Sequence, residues 1–333
     1  GWASQMLAYS ARPPDPEVVG DRWRDMWLER LAAQPFLLET WLSHQRRDAY
    51  WEHGSICEDF DAIEAAVLSI GGWHDGYRNT PAALVAGLSA PVKAIVGPWI
   101  HKYQHLALTE PLIGFLHEAL RWWDRWLNGI EKGVEDAPAQ RLWLMDSVPP
   151  KRWLDKRPGR WIAVDEPVPM QVFPFGDGAL GEESAFSIEV ASPQTCGAGT
   201  GEYFPFTFDK DFPGDQSEDD AMSACFDSAA LDQVMDVVGA PEVALRLTSS
   251  AKSGQIAVRM VDLRPDGSAT LISHGFLNLR HRTSQRDPED LVPADEIDVV
   301  VTLDQCAYRL PAGHRLRIAV STAYWPFIWP GPE

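Results

Sequence analysis

The 333-residue sequence has only four cysteines and no apolar run long enough to cross a membrane. The cysteines, at Cys57, Cys196, Cys225 and Cys306, lie too far apart to form a zinc-binding pair or the dense disulfide framework of a small secreted domain. A spanning helix needs about 20 apolar residues in a row. We therefore expect reduced thiols in a soluble, cytoplasmic protein, although these residues leave an upstream signal peptide open.

The sequence also has fewer basic than acidic residues. The chain has 29 Lys and Arg against 48 Asp and Glu, which gives a formal net charge of -19. Phosphate backbones and anionic membrane surfaces need clustered Lys and Arg. The composition therefore argues against nucleic acid and membranes as partners.

The pattern of apolar residues changes near residue 130. Before that point, segments whose apolar residues have helical spacing alternate with short apolar runs. After it, apolar residues tend to recur at every second position. Gly129, Gly133 and Pro138 lie among charged residues at the change. Because a chain of this length usually forms about two domains, we place a boundary there, between residues 1–134 and residues 135–333.

Residues 15–48 have a helical pattern. Trp23, Trp27 and Leu31 recur every four residues, and Pro35 interrupts the period before it resumes. The pattern predicts a pair of short, tryptophan-rich helices. They could pack in a core or form a lid over a pocket.

Two apolar runs end in glycine-rich loops that each offer an ionisable side chain. Residues 63–70 lead into Gly71-Gly72-Trp73-His74-Asp75, and residues 92–96 lead into Gly97-Pro98-Trp99-Ile100-His101. A helix beginning at Thr80-Pro81 separates the runs, so they are expected to be parallel neighbours whose carboxyl ends meet at one sheet edge. Asp75 and His101 would then lie close together. A carboxylate that orients a histidine is two thirds of a nucleophilic triad, and the order Asp then His is typical of α/β hydrolases.

Residues 111–127 predict a long amphipathic helix packed on the sheet. Its apolar face comprises Leu112, Leu116, Ala119, Leu120, Trp123 and Leu127. Later, residues 256–260, 297–303 and 316–320 alternate like strands, and Arg264-Pro265-Asp266-Gly267 is expected to close a hairpin. Many short strands with regular turns indicate a β-sandwich or jelly roll.

Together these segments resemble the cocaine-esterase-like hydrolases, also called the CocE/NonD family, which are related to X-prolyl dipeptidyl-peptidases and α-amino-acid ester hydrolases. The resemblance covers nearly the whole chain. Besides the two loops above, it rests on 122–129 (WWDRWLNG), 214–216 (GDQ), 264–267 (RPDG), 313–316 (GHRL) and 323–326 (AYWP).

The resemblance implies an α/β-hydrolase domain with an inserted helical cap, followed by a jelly roll that forms one wall of the active site. Residues 1–134 would be the C-terminal part of that hydrolase domain. They would include a cap remnant at about 10–50 and the last strands and helices at 63–130. Residues 135–333 would be the jelly-roll sandwich, incomplete at its C-terminus.

The resemblance also assigns site residues. Asp75 is similar to the triad acid and His101 to the general base, while Tyr77 falls where the family places a pocket aromatic. Trp73 and Trp99, in the same loops, are expected in that substrate pocket. No metal or organic cofactor is implied.

The chain departs from the family in two ways. No Gly-x-Ser-x-Gly nucleophile elbow occurs, and the nearest segment, 87–91 (GLSAP), lacks the last glycine and lies between acid and base. Tyr77 and Arg78 also replace the carboxylates that bind the substrate ammonium in α-amino-acid ester hydrolases. We therefore expect the second half of a serine hydrolase, without the N-terminal half of its catalytic domain and inactive alone. Intact, the enzyme would cleave a small-molecule ester, amide or peptide through an acyl-enzyme.

Two alternatives stay open. His74, Asp75, His101 and His105 could ligate a metal, although no ligand spacing places them on one element. The aromatic cluster 324–330 (YWPFIWP) could instead belong to a carbohydrate-binding or structural jelly-roll module without catalysis.

Overall fold

The computed structural model describes residues 2–107, 109–205 and 212–331. The chain divides into two compact units. The first comprises Gly1–Glu58 with Thr283–Pro288, and the second Asp59–Arg282 with Glu289–Glu333.

The first unit is helical. Its helices are α1 (Trp2–Ser10), α2 (Pro16–Val19), α3 (Trp23–Ala33), α4 (Leu37–Ser43) and α5 (Ala49–Glu52), with 3-10 turns at Gly20–Arg22 and Ile56–Glu58. The predicted pair of helices is α3 and α4, and the chain breaks between them at Pro35 because proline has no N–H to continue a helix. The rings of Trp23 and Trp27 stack with centroids 6.2 Å apart. No residue of α3 or α4 is buried, so these tryptophans do not form a core within the unit.

The second unit contains the sheets. Its strands are β1 (Val67–Gly72), β2 (Val92–Gly97), β3 (Gln140–Asp146), β4 (Gly159–Val164), β5 (Ala179–Leu180), β6 (Ala224–Ser228), β7 (Met235–Gly239), β8 (Glu242–Leu247), β9 (Gln255–Leu263), β10 (Ala269–Asn278), β11 (Ile297–Thr302), β12 (Cys306–Leu310) and β13 (Arg315–Ser321). Its helices are α6 (Thr80–Gly87), α7 (Phe115–Asn128) and α8 (Ser217–Asp220), with 3-10 turns at Phe60–Ala62 and Leu279–His281.

The main sheet has the order β1-β2-β3-β12-β7, and β4 pairs with β3. The pairs β1–β2, β2–β3 and β3–β12 are parallel. A second sheet has the order β10-β9-β13-β6-β5, and β8 pairs with β11. The largest buried cluster includes residues from all three sheets. The predicted parallel pair and the predicted strand-rich second half are therefore both present.

The predicted boundary at residue 134 falls inside the second unit. It lies between β2 and β3, which are hydrogen-bonded neighbours in one sheet. The sheet therefore crosses this point without a break in pairing, and a division there stays a proposal that proteolysis can test.

The apolar face predicted for α7 is buried only in part by this unit. Ala119 of that face is buried, as is Trp122, whereas Leu116, Leu120 and Trp123 are more than half exposed. Leu127, at the end of the helix, is 77% exposed. The helix itself ends as the sequence suggests, because Gly129 adopts a left-handed conformation and its N–H donates to the carbonyl of Arg125.

Strand β9 is buried on both faces, which its alternating sequence pattern does not predict. Ile256, Val258 and Met260 are buried as expected, but Ala257 and Arg259 on the other face are buried as well. Arg259 is fully buried because Asp220 forms an ion pair of 2.8 Å with its guanidinium. The predicted hairpin between β9 and β10 is present, and the Gly267 N–H donates to the carbonyl of Arg264 within it.

Within residues 2–107, 109–205 and 212–331, no helix is long and apolar enough to cross a membrane. The cytoplasmic location stays a prediction.

Candidate active site

The loops after β1 and β2 are held together by their backbones. The Trp73 N–H donates to the carbonyl of Gly97 over 2.8 Å, and the His74 N–H donates to the carbonyl of Trp99 over 3.0 Å. Gly72 permits this approach, because a Cβ atom there would overlap the carbonyl of Trp99. Both loops therefore lie at the carboxyl ends of the parallel strands β1 and β2, on the same side of the main sheet, as expected.

Asp75 and His101 meet at the carboxyl ends of these strands. The Asp75 Oδ2 atom lies 2.8 Å from His101 Nδ1. Its other oxygen, Oδ1, accepts a hydrogen bond of 2.9 Å from the Tyr77 N–H. Asp75 is buried, while the His101 side chain is 39% exposed. A carboxylate bound at Nδ1 requires the proton there, which leaves Nε2 of a neutral imidazole as the proton acceptor.

Aromatic rings surround the imidazole of His101. The ring of Tyr77 lies edge-on at 5.8 Å between centroids, and the ring of Phe204 lies at 4.3 Å. Tyr77 and Phe204 also contact each other edge to face. Gly76 leaves room for Phe204, because a Cβ atom at Gly76 would come within 2.5 Å of its ring. Tyr77 was predicted from the sequence, but Phe204, more than 100 positions away, carried no local signal.

The two tryptophans predicted in the pocket are both buried, and Trp73 lines a small cavity beside the Asp75 loop. Trp99 is fully buried in a core cluster with Ile95 and Ala107, and its Nε1 donates to the carbonyl of Pro111. Trp73 is 5% exposed, and its indole donates to the carbonyl of Trp143. Trp99 therefore offers no surface to a substrate.

A small cavity of about 50 Å³ lies next to the Asp75 loop. Its lining includes His74, Arg157 and His274. Burial lowers the pKa of His74 well below its usual value, and the charge of Arg157 lowers it further. His74 is therefore a neutral ring stacked on Phe212, not a second charged group beside the Asp75–His101 pair.

The histidines that could have formed a metal site are dispersed. Of the three histidines, His105 stacks on Phe115, His74 stacks on Phe212, and His101 contacts Asp75. No group of three or more potential metal ligands occurs in the part of the chain that the structure describes.

Asp304 is a further residue that sequence reasoning missed. It follows β11 and contacts both Arg78 and Asn79 in the Asp75 loop. No motif marks it, because the contact joins positions that are 225 residues apart.

Comparison with known proteins places this geometry in a family. Residues 1–103 match the family described as X-Pro dipeptidyl-peptidase (S15 family). Residues 132–333 match the X-Pro dipeptidyl-peptidase C-terminal non-catalytic domain. This chain belongs to the CocE/NonD hydrolase family, related to the X-Pro dipeptidyl-peptidases. The resemblance found in the sequence is confirmed.

The CocE/NonD chain is similar to the cocaine esterase of Rhodococcus sp. (strain MB1 Bresler), with 25% identity over 330 residues. The match covers 88% of this chain and 54% of the esterase. The chain thus spans about half the length of the curated relatives it matches.

Two solved structures show the fold. One is an aminopeptidase from a marine sediment archaeon, Thaumarchaeota archaeon, with a TM-score of 0.66 and 18% identity, covering 90% of this chain and 55% of that one. The other is a CocE/NonD family hydrolase from Staphylococcus aureus, with a TM-score of 0.65 and 13% identity, covering 93% of this chain and 55% of that one. The family fold is an α/β-hydrolase domain followed by a C-terminal β domain.

Proposed function

We propose that this chain supplies the acid and the base of a serine hydrolase that cleaves ester or amide bonds through an acyl-enzyme. The observation that carries the proposal is the 2.8 Å contact between Asp75 Oδ2 and His101 Nδ1 at the ends of adjacent parallel strands. In the reaction, His101 Nε2 accepts the serine proton and later returns it to the leaving group. Asp75 holds the ring and stabilises the imidazolium.

The nucleophile and the oxyanion donors are proposed to come from residues outside these 333. The sequence contains no Gly-x-Ser-x-Gly elbow, and the relatives are about twice as long. In the part of the chain that the structure describes, β1 pairs on one side only, with β2. An unpaired strand edge is a suitable place for the remainder of a hydrolase domain to dock, and the exposed leucines of α7 offer further apolar surface.

The proposed substrate carries an uncharged acyl group beside His101. Tyr77 and Phe204 present aromatic surface there, and no carboxylate stands at positions 77 and 78 to bind an ammonium group. Of the three aromatics predicted for the pocket, the proposal keeps Tyr77 beside His101 and Trp73 in the lining of the neighbouring cavity, and leaves out the fully buried Trp99. The finer assignment of residues 135–333 as a jelly roll forming one wall of the site belongs to the same proposal.

The test uses the gene's coding sequence extended upstream until it includes a serine elbow. The extended enzyme should hydrolyse an activated phenyl ester. D75N should lower kcat by about 10⁴, as tautomer loss does in serine proteases. H101A should lower kcat by at least as much, because it removes the base.

His105→Ala is the matched control, because His105 stacks on Phe115 and has no part in the proposed reaction. The 333-residue chain alone should show no His101-dependent turnover. Full activity of extended H101A would refute the assignment of the base. A His101-dependent burst from the chain alone would place the nucleophile within it.

A carbohydrate-binding module is the second candidate. Trp325 and Trp329 are exposed, with ring centroids 5.3 Å apart, and could stack on sugar rings. Tyr324, in contrast, is fully buried and packs edge to face on Phe327. Retention on polysaccharide columns that is lost in W325A would favour this candidate.

A further inference from the structure

A carboxylate that follows β11 holds the loop that carries Asp75. The Asn79 side-chain amide donates to Asp304 Oδ1 over 2.8 Å. The backbone N–H of Gln305 donates in return to Asn79 Oδ1, also over 2.8 Å. Arg78 Nη1 lies 3.6 Å from Asp304 Oδ2. Two consecutive side chains of the loop are therefore tied to one short turn between β11 and β12.

Arg78, which contacts Asp304, also forms hydrogen bonds with Asp75. Its Nε donates to the Asp75 carbonyl over 2.9 Å, and its backbone N–H donates to the same oxygen over 3.2 Å. The Asp75 side chain in turn contacts His101. A continuous series of polar contacts thus runs from Asp304 through Arg78 and Asp75 to His101.

Asp304 is itself fixed in place. Its backbone N–H donates to the carbonyl of His274, and the Ser273 hydroxyl donates to its carbonyl over 2.6 Å. His274 Nε2 lies 3.2 Å from Asp304 Oδ2. Burial alone raises the pKa of Asp304, but the hydrogen bond from His274 and the charge of Arg78 outweigh it and lower the pKa to about 2. Asp304 is therefore an anion at neutral pH.

We propose that Asp304 is a positioning residue that fixes the Asp75 carboxylate against His101 through Arg78 and Asn79. The inference rests on the proposed function, in which Asp75 is the acid. The Asp75 loop is irregular backbone after the end of β1, so a second anchor is needed to keep its carboxylate in register with the imidazole. The C-terminal β domain, which does not contribute the acid or the base, thereby takes part in aligning them.

The test follows the proton that His101 Nδ1 donates to Asp75, in the 333-residue chain labelled with 15N-histidine. That proton should exchange slowly with water, and H101A identifies its resonance. D304N should raise its exchange rate by about tenfold or more, because a hydrogen bond that is less firmly held opens to water more often. The control is D298N, an exposed aspartate paired with Arg246, which should leave the rate unchanged.

D75A, which removes the acceptor, separates the two claims. If D75A leaves the resonance in place, the Asp75–His101 pair of the proposed function is wrong. If D75A abolishes it but D304N exchanges at the wild-type rate, the pair stands and the positioning role is overturned.

Asn79→Ala provides a second variant, because Asn79 is exposed and its loss breaks both hydrogen bonds to the turn. If D304N does not fold, faster exchange in folded N79A supports the role and unchanged exchange overturns it. In the extended enzyme, D304N should lower kcat with little change in KM, because Asp304 does not touch the substrate.

Discussion

Gly72 packs directly against the carbonyl of Trp99, in a space that no Cβ atom could share. The same carbonyl accepts the hydrogen bond from the His74 N–H. The distance between the Asp75 and His101 loops is therefore set by the missing side chain at residue 72.

Gly72→Ala should separate the loops and destabilise the chain. Overpacking of this kind costs about 1–3 kcal/mol, measurable by urea denaturation. G214A is the control, because a Cβ atom at Gly214 would meet only Arg152, at ordinary contact distance. Equal free energies of unfolding for the two variants would show that the loops are not limited by Gly72.

Asp304 should make the stability of the second unit sensitive to acid. Its pKa is about 2 in the folded chain, below the ordinary value of 3.8. A lowered folded pKa stabilises the protein above pH 3.8, and that contribution disappears as the pH falls toward 2. The effect is on the order of 2 kcal/mol.

Urea denaturation between pH 5 and about pH 2 measures this contribution. Wild-type stability should fall across the range, and D304N should fall less steeply because it has no proton to bind at that site. D298N again serves as the exposed control. Parallel pH profiles for wild type and D304N would contradict the prediction.

The exposed face of α7 should make the isolated chain associate. Leu116, Leu120, Trp123 and Leu127 form an apolar stripe at helical spacing, and each is more than half exposed. Sedimentation velocity should show oligomers whose mass rises with concentration. L120E with L127E should reduce association, whereas L28E, at an exposed leucine of the first unit, should not. A wild-type monomer at all concentrations would argue against an unpartnered docking face.

Trypsin should cut after Lys132, in the exposed stretch between α7 and β3. The two products should remain together in gel filtration, because β2 and β3 are paired from Ala94–Gln140 to Val96–Leu142. K132A should remove this cleavage product. Separation of the two fragments would show independent domains, as the sequence predicts with its boundary at residue 134.

The sequence predicted the features that depend on local order. Asp75 and His101 were expected to meet because each follows a short apolar run with a glycine-rich end. The structure shows the contact and its backbone cause. The helix break at Pro35 and the hairpin at 264–267 also follow from single residues with restricted or permissive backbones.

Features that depend on distant contacts were not predictable in this way. Phe204 and Asp304 reach the site from positions more than 100 residues beyond His101, and nothing in their own surroundings marks them. The sequence predicts that Arg259 faces solvent, because it alternates with apolar residues along a strand. In the structure it is buried and forms an ion pair with Asp220. Trp99 is an aromatic residue in a site loop and was therefore expected in the pocket, yet tertiary packing buries it completely.

The pairing of β2 with β3 bears on how such proteins can evolve. The two family matches leave a gap between residues 103 and 132, an obvious place for recombination between relatives. A crossover there would join β2 from one parent to β3 from the other, and it would also split the contact between Asn79 and Asp304. Both the β2–β3 pairing and the Asn79–Asp304 contact would have to be compatible between the two parents. Recombinants between diverged parents should therefore rarely survive selection, and the two segments should be inherited together.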